Sequence, residues 1–112
     1  MIRIEGDSGT ANILRARLAG AIATSNPRCY VTYLSKLGRE ALPLTAQVAL
    51  NGTTNVTLLA APGVGQTWDD IEVKMSNIDT AAVTFILEYY DGTTATQLVR
   101  EPVAVSETVT IN

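Results

Sequence analysis

The side chains that carry most enzyme chemistry are few and scattered in this sequence. It has no histidine, a single cysteine, eight Lys plus Arg and eleven Asp plus Glu. A hydrolase triad needs a base to take the proton of its nucleophile, and neither Lys36 nor Lys74 stands in a recognisable pairing with a serine that would replace the missing histidine. Tight zinc sites are built mainly from Cys and His, so one cysteine leaves nothing to build one. Asp69, Asp70 and Glu72, with Asp79 nearby, could offer oxygens to calcium, but they lack the spaced loop of a dedicated site and read as solvated surface alternating outward on a strand. Cys29, beside Tyr30 and Val31, reads as core, since a reactive thiol needs a neighbouring base or a helix N-terminus. Gly63-Val64-Gly65 lacks the third glycine of a dinucleotide fingerprint and the lysine of a phosphate loop, and is a connector. Trp68-Asp69 matches the propeller dipeptide by chance, because no internal repeat accompanies it. The expectation is a protein with no catalytic residues, no metal site and no cofactor.

The elements that position these residues follow from composition and periodicity. At 112 residues, with 46% hydrophobic and 17% charged side chains, the chain is one domain that buries roughly two thirds of the surface its unfolded form exposes. No basic region followed by an apolar run and a small-residue cleavage site opens it, and no span has the apolar length to cross a bilayer, so neither a secretory signal nor a membrane partner is expected. The sequons at Asn51 and Asn55 therefore read as a Thr-rich turn. Charge is unevenly placed. Residues 1–40 carry Arg3, Arg15, Arg17, Arg28, Lys36 and Arg39 against Glu5, Asp7 and Glu40, a net of +3, whereas residues 41–112 carry Lys74 and Arg100 against eight carboxylates, a net of −6. Either the two parts attract each other or each faces a complementary partner. A pI near 4.7, with most aromatics in alternating core positions, argues against direct nucleic-acid binding.

From Leu42 onward the pattern is one short strand after another. Leu42, Leu44, Ala46, Val48 and Leu50 alternate with smaller or polar residues; Ile71, Val73 and Met75 alternate with Glu72 and Lys74; Val83, Phe85, Leu87 and Tyr89 alternate with Thr84, Ile86 and Glu88. Each places its apolar side chains on one face. Residues 29–36 are apolar on both faces and predict a strand covered on both sides. Asn51-Gly52 predicts a hairpin over residues 42–61, Asp91-Gly92 a second turn, and Glu101-Pro102 an interruption. Residues 1–26 differ: Ile2 and Ile4 alternate briefly, Gly6 to Gly9 break the chain, and Ala11 to Thr24 is rich in Ala, Leu and Arg. There Ile13, Leu14, Leu18, Ala21 and Ile22 fall near helical spacing, with Thr10 as an N-cap, so this stretch predicts a short helix or an extended arm. The expected architecture is all-β: an antiparallel sandwich or jelly roll of seven to eight strands over residues 27–112, preceded by an N-terminal arm over residues 1–26.

The run Leu44-Thr45-Ala46-Gln47-Val48-Ala49-Leu50-Asn51-Gly52-Thr53-Thr54-Asn55-Val56-Thr57-Leu58-Leu59-Ala60-Ala61-Pro62-Gly63, then Asn77-Ile78-Asp79-Thr80-Ala81-Ala82-Val83-Thr84 and Ser106-Glu107-Thr108-Val109, resembles small β-sandwich structural proteins of tailed bacteriophage particles. The resemblance covers residues 42–112 and is one of sequence style. With its single domain and N-terminal arm the chain looks most like a capsid cement, or decoration, protein of the jelly-roll type that short-tailed phages use to staple neighbouring capsid subunits. The resemblance implies no catalysis and no small-molecule substrate. It implies the major capsid protein as partner, a homo-dimer or homo-trimer, and a place on the capsid exterior after synthesis in the host cytoplasm.

No residue-level binding motif comes with that resemblance. The expected capsid contacts, drawn from the arm and from exposed aromatics, are Arg3, Ile13, Leu14, Arg15, Arg17, Leu18, Arg28 and Tyr90. Two other readings are weighed beside it. One is a different virion part, such as a head-tail connector, neck or tail component. The other is a carbohydrate-binding sandwich stacking a sugar on Trp68, Tyr30 or Tyr90.

Overall fold

A computed structural model describes residues 2–6 and 12–112. These form nine strands: β1 (Ile2–Glu5), β2 (Ile13–Leu18), β3 (Arg28–Leu37), β4 (Glu40–Ala49), β5 (Val56–Leu59), β6 (Gln66–Ser76), β7 (Val83–Tyr90), β8 (Ala95–Val103) and β9 (Thr108–Ile111). All pairings are antiparallel. One sheet runs β1-β6-β3-β4, with β9 lying beyond β1 along the same side of β6; the other runs β5-β2-β7-β8. Leu14, Ala16, Leu18, Phe85 and Leu87 from the second sheet meet Cys29, Val31, Ile71, Val73 and Met75 from the first, all essentially without exposure. The all-β sandwich expected from the alternation is what forms.

The N-terminal segment departs from expectation. There is no helix among the described residues, and residues 13–18 are not an arm: β2 lies in the middle of its sheet, between β5 and β7. Ala, Leu and Arg favour helix locally, but tertiary context overrides propensity of this size. Leu14, Ala16 and Leu18 also alternate with Arg15 and Arg17 at period two, and pairing on both sides of β2 rewards that pattern. β1 likewise adds to the edge of β6. Thr10 and the break over Asp7 to Gly9 lie outside the described residues. Gly6 is held by its N–H donating to the Gln66 carbonyl at 2.8 Å. A Cβ there would sit 1.8 Å from the Gly63 carbonyl oxygen, so only glycine lets the two backbones approach so closely.

Other corrections concern where strands end up. Residues 42–61 are not a hairpin: β4 pairs with β3, while β5 pairs with β2 in the opposite sheet. The Asn51-Gly52 turn, closed by the Thr54 N–H on the Asn51 carbonyl at 3.1 Å, carries the chain across the sandwich. The hairpin lies instead between β3 and β4, where Leu37 pairs with Glu40 and Gly38 has φ 62°. Positive φ at the first of two loop residues suits the right-handed twist of paired strands. β3 is not covered on both sides, because Tyr30 is 42% exposed on the outer face. Pro102 does not interrupt β8; it lies opposite Thr84 on an edge strand whose free side needs no donor.

β6 holds one extra residue. Thr32 pairs with Glu72 but Leu34 pairs with Asp69, and Asp70 between them has φ 53°. This bulge reverses which face successive residues take, so Trp68 points inward along with Ile71, Val73 and Met75. Its ring meets Tyr33 edge-on with centroids 5.2 Å apart, and its indole N–H donates to the Ala60 carbonyl at 2.7 Å. Cys29 is fully buried, and loss of solvation pushes its thiol up to about 12. A thiol-specific reagent is therefore expected to leave Cys29 unmodified in the native protein. Labelling should proceed only at the rate of unfolding or local opening, and label uptake without denaturant would contradict the burial.

Candidate interaction surface

The eight residues expected to contact a capsid do not form one patch. Leu14 and Leu18 are fully buried in the core and cannot reach a partner, because they supply the inward phase of β2. Arg3 lies on β1 in the other sheet, with its guanidinium 3.1 Å from Glu5. Arg28 begins β3, also in that sheet, and is exposed. The remaining four come together on the outer face of the β5-β2-β7-β8 sheet. Ile13, Arg15 and Arg17 take the outward phase of β2, and register puts Ile13 beside Tyr90, Arg15 beside Glu88 and Arg17 beside Ile86.

The centre of this face is Glu88, only 8% exposed. Its carboxylate accepts from Arg15 Nε at 3.2 Å and lies 3.9 Å from Arg17 Nε. The Arg15 guanidinium carbon stands 4.0 Å from the centre of the Tyr90 ring, a cation-π contact. Ile86, on the same face, has no exposure although it lies outside the main core. Arg17 and Arg100 flank it in register on β2 and β8. Two arginines around one carboxylate leave a positive surplus. Arg100 adds to it, because among the described residues it makes no ion pair. The result is a flat, preorganised surface: apolar at Ile13 and the free edge of Tyr90, cationic across β2 and β8. Glu88→Gln should leave the two arginines facing each other without their anion and cost about 1–3 kcal/mol. Urea melts would measure it, and a midpoint equal to wild type would contradict the pairing.

The carboxylates grouped above as solvated surface have separate fates. Asp69 accepts from Lys36 Nζ at 2.7 Å, and that bond, with the Asp70 N–H, holds its carboxyl below the usual range. Asp70 is exposed at the bulge. Asp79 lies in the loop between β6 and β7 but is not solvated, being only 2% exposed. It accepts the backbone N–H groups of Ala23 and Thr24 at 2.8 Å, Ser25 at 3.1 Å and Thr80 at 2.8 Å. Those donors pull its carboxyl far below the ordinary aspartate range. Beside it the fully buried Asn77 amide donates to the Ala81, Val103 and Ala104 carbonyls and accepts from the Asp79 N–H. Together these side chains tie three loops at one end of the sandwich. Asn-x-Asp-Thr in a loop was the available sign, since such residues cap local backbone. Among the described residues no group of three or more ligands is placed to hold a metal ion.

The two faces also treat the aromatics differently. Trp68 is held inward, and Tyr90 has one ring face under Arg15, so neither offers a free platform. Tyr30 does. It lines an open concavity of about 530 Å³ on the outer face of the first sheet, with Thr32, Thr45, Gln47, Glu72 and Lys74.

Comparison with protein-family models, with curated proteins and with solved structures gives no match.

Proposed function

We propose that this protein is a non-enzymatic structural component of a phage virion. In this reading it binds the assembled capsid from outside and bridges neighbouring major capsid protein subunits. The observation that carries the reading is the outer face of the β5-β2-β7-β8 sheet. Ile13, Arg15 and Arg17 of β2 and Tyr90 of β7, over seventy residues further on, converge there, with Glu88 holding the two arginines and Arg15 lying over the Tyr90 ring. Aromatic and arginine anchors on a preorganised surface are what interface energetics favour. The sequence style of residues 42–112 supports the same reading. Many copies on a shell add individually modest contacts into a large stabilisation.

Deleting residues 2–24 would not test this, because it removes β1 and the central strand β2 and so the fold itself. The suitable variant is Arg100→Glu, at an exposed residue that makes no ion pair among the described residues. Wild-type protein should co-sediment with tailed-phage heads, and Arg100→Glu should retain its melting behaviour while losing most of that binding. Equal binding by both would remove this face from the interface. A neck or tail component would use the same surface at far lower copy number, which quantitative mass spectrometry of particles distinguishes.

A second reading rests on Tyr30. Its exposed ring, beside the amide of Gln47, the hydroxyls of Thr32 and Thr45, and the charges of Glu72 and Lys74, has the mixed apolar and polar chemistry that a sugar ring requires. A glycan array with wild type and Tyr30→Ala separates it from the first: binding lost in the variant would favour the carbohydrate reading.

A further inference from the structure

Register lays out the outer face of the β5-β2-β7-β8 sheet in rows. Ile13 and Tyr90 stand in the first, Arg15 and Glu88 in the second, and Arg17 and Arg100 in the third, on either side of Ile86. The first row is apolar. The second is closed on itself, because Arg15 Nε donates to the Glu88 carboxylate at 3.2 Å. The third is open. Arg100 makes no ion pair among the described residues, and Arg17 comes only to 3.9 Å of Glu88, beyond hydrogen-bond distance. Glu88 therefore serves Arg15 fully and Arg17 in part, and the donors of Arg17 and Arg100 are left for something outside the chain.

Charge says what that something carries. Three arginines against Glu88 give this face a net +2, while the whole chain is −3, so the rest of the molecule carries −5. A long polyanion such as nucleic acid would gain at the patch and be repelled beyond it. Its evenly charged backbone would also leave the apolar row without a partner. A bounded protein surface with carboxylates meets both conditions. The guanidinium fork matches a carboxylate with two parallel hydrogen bonds, and an apolar neighbour can fill the space over Ile13. The rows also fix the spacing. Arg17 and Arg100 are two strands apart, about 10 Å, and their row lies four residues, or roughly 13 Å, from that of Ile13 and Tyr90.

We propose that this face takes an acidic protein surface, with carboxylates on Arg17 and Arg100 and an apolar side chain against Ile13 and the free edge of Tyr90. The inference rests on the reading of this face as the shell contact and adds what the shell must present there.

Titrating the full chain with a short poly-L-glutamate peptide, followed by 15N NMR of the arginine Nε–H groups, tests the charge class without a shell. The Arg17 and Arg100 signals should move while those of Arg28 and Arg39 do not. Raising salt from 0.1 M to 1 M should weaken binding at least about fivefold, because the screening length falls from about 10 Å to about 3 Å. Arg100→Gln should weaken it about two- to fivefold, as for a single exposed pair, and Arg100→Lys should keep most of it. Should a variant melt abnormally, the signals mapped in the wild type still decide. No movement up to millimolar peptide, movement spread over all the arginines, or tighter binding of an oligothymidylate of equal charge would overturn the proposal. Shell binding is read separately: wild type that co-sediments with heads but ignores poly-L-glutamate rejects the acidic partner alone, and the reverse result rejects the shell alone.

Discussion

Asp79→Ala is expected to lower Tm by roughly 10 °C or more, the largest drop from any single polar substitution in this chain. The carboxylate is the common acceptor for four backbone N–H groups, three of them from residues 23–25. Removing it strands buried donors, which costs more than the loss of an exposed bond. The loop that loses its anchor follows directly on β2, so the damage reaches a central strand. Asp79→Asn keeps the volume but presents an amide that accepts through one oxygen only, and should fall between wild type and Ala. The pH dependence has a definite sign. The folded carboxyl titrates well below the value near 3.9 of an unfolded aspartate, so the unfolded state binds the proton first as pH falls. The stabilisation is complete above about pH 4 and is lost progressively as pH drops toward the folded carboxyl's range. Asp69 and Asp91, held low by Lys36 and by the Thr93 and Thr94 N–H groups, act in the same direction. Thermal melts from neutral to strongly acidic pH should show a smaller acid-induced fall in Asp79→Asn than in wild type; parallel curves would contradict the assignment.

Phe85→Ala should cost about 3–5 kcal/mol, measured as a shift in urea midpoint at unchanged slope. Phe85 heads the fully buried side chains by volume and lies on β7, paired with Leu18 on one side and Glu101 on the other. Its ring projects into the core that both sheets share. With net stabilities of about 5–15 kcal/mol typical of single domains, the variant would be marginal at physiological temperature. A loss below about 1 kcal/mol would mean that the sheets repack around the gap, and that the core is looser than its zero exposure implies.

Legibility in the sequence tracked how local the signal was. Ile71, Val73 and Met75, and Val83, Phe85 and Leu87, alternate without ambiguity, and all six are in the core. β2 was harder because Leu14, Arg15, Ala16, Arg17 and Leu18 fit both a strand and a helix of good helix formers; only pairing with β5 and β7, which is non-local, decides between them. The Asn51-Gly52 turn is real, but a turn signal does not say whether the chain returns to the same sheet or crosses to the other. The bulge at Asp70 leaves no pattern in the sequence, since one inserted residue only shifts the phase, and so the inward place of Trp68 does not follow from the alternation of Ile71, Val73 and Met75. Of the interaction surface, Arg15, Arg17 and Tyr90 were visible as residue types. Their convergence on Glu88 depends on the β2-β7 register.

The central proposal, that this chain works through shape and accumulated surface contacts on an assembled shell, is tested most directly by counting copies. Quantitative mass spectrometry of purified tailed-phage particles that incorporate the protein should give it in near-stoichiometric ratio to the major coat subunit, released by conditions that leave the shell itself intact. Absence from assembled particles, or turnover of a small molecule by the purified chain, would contradict the account.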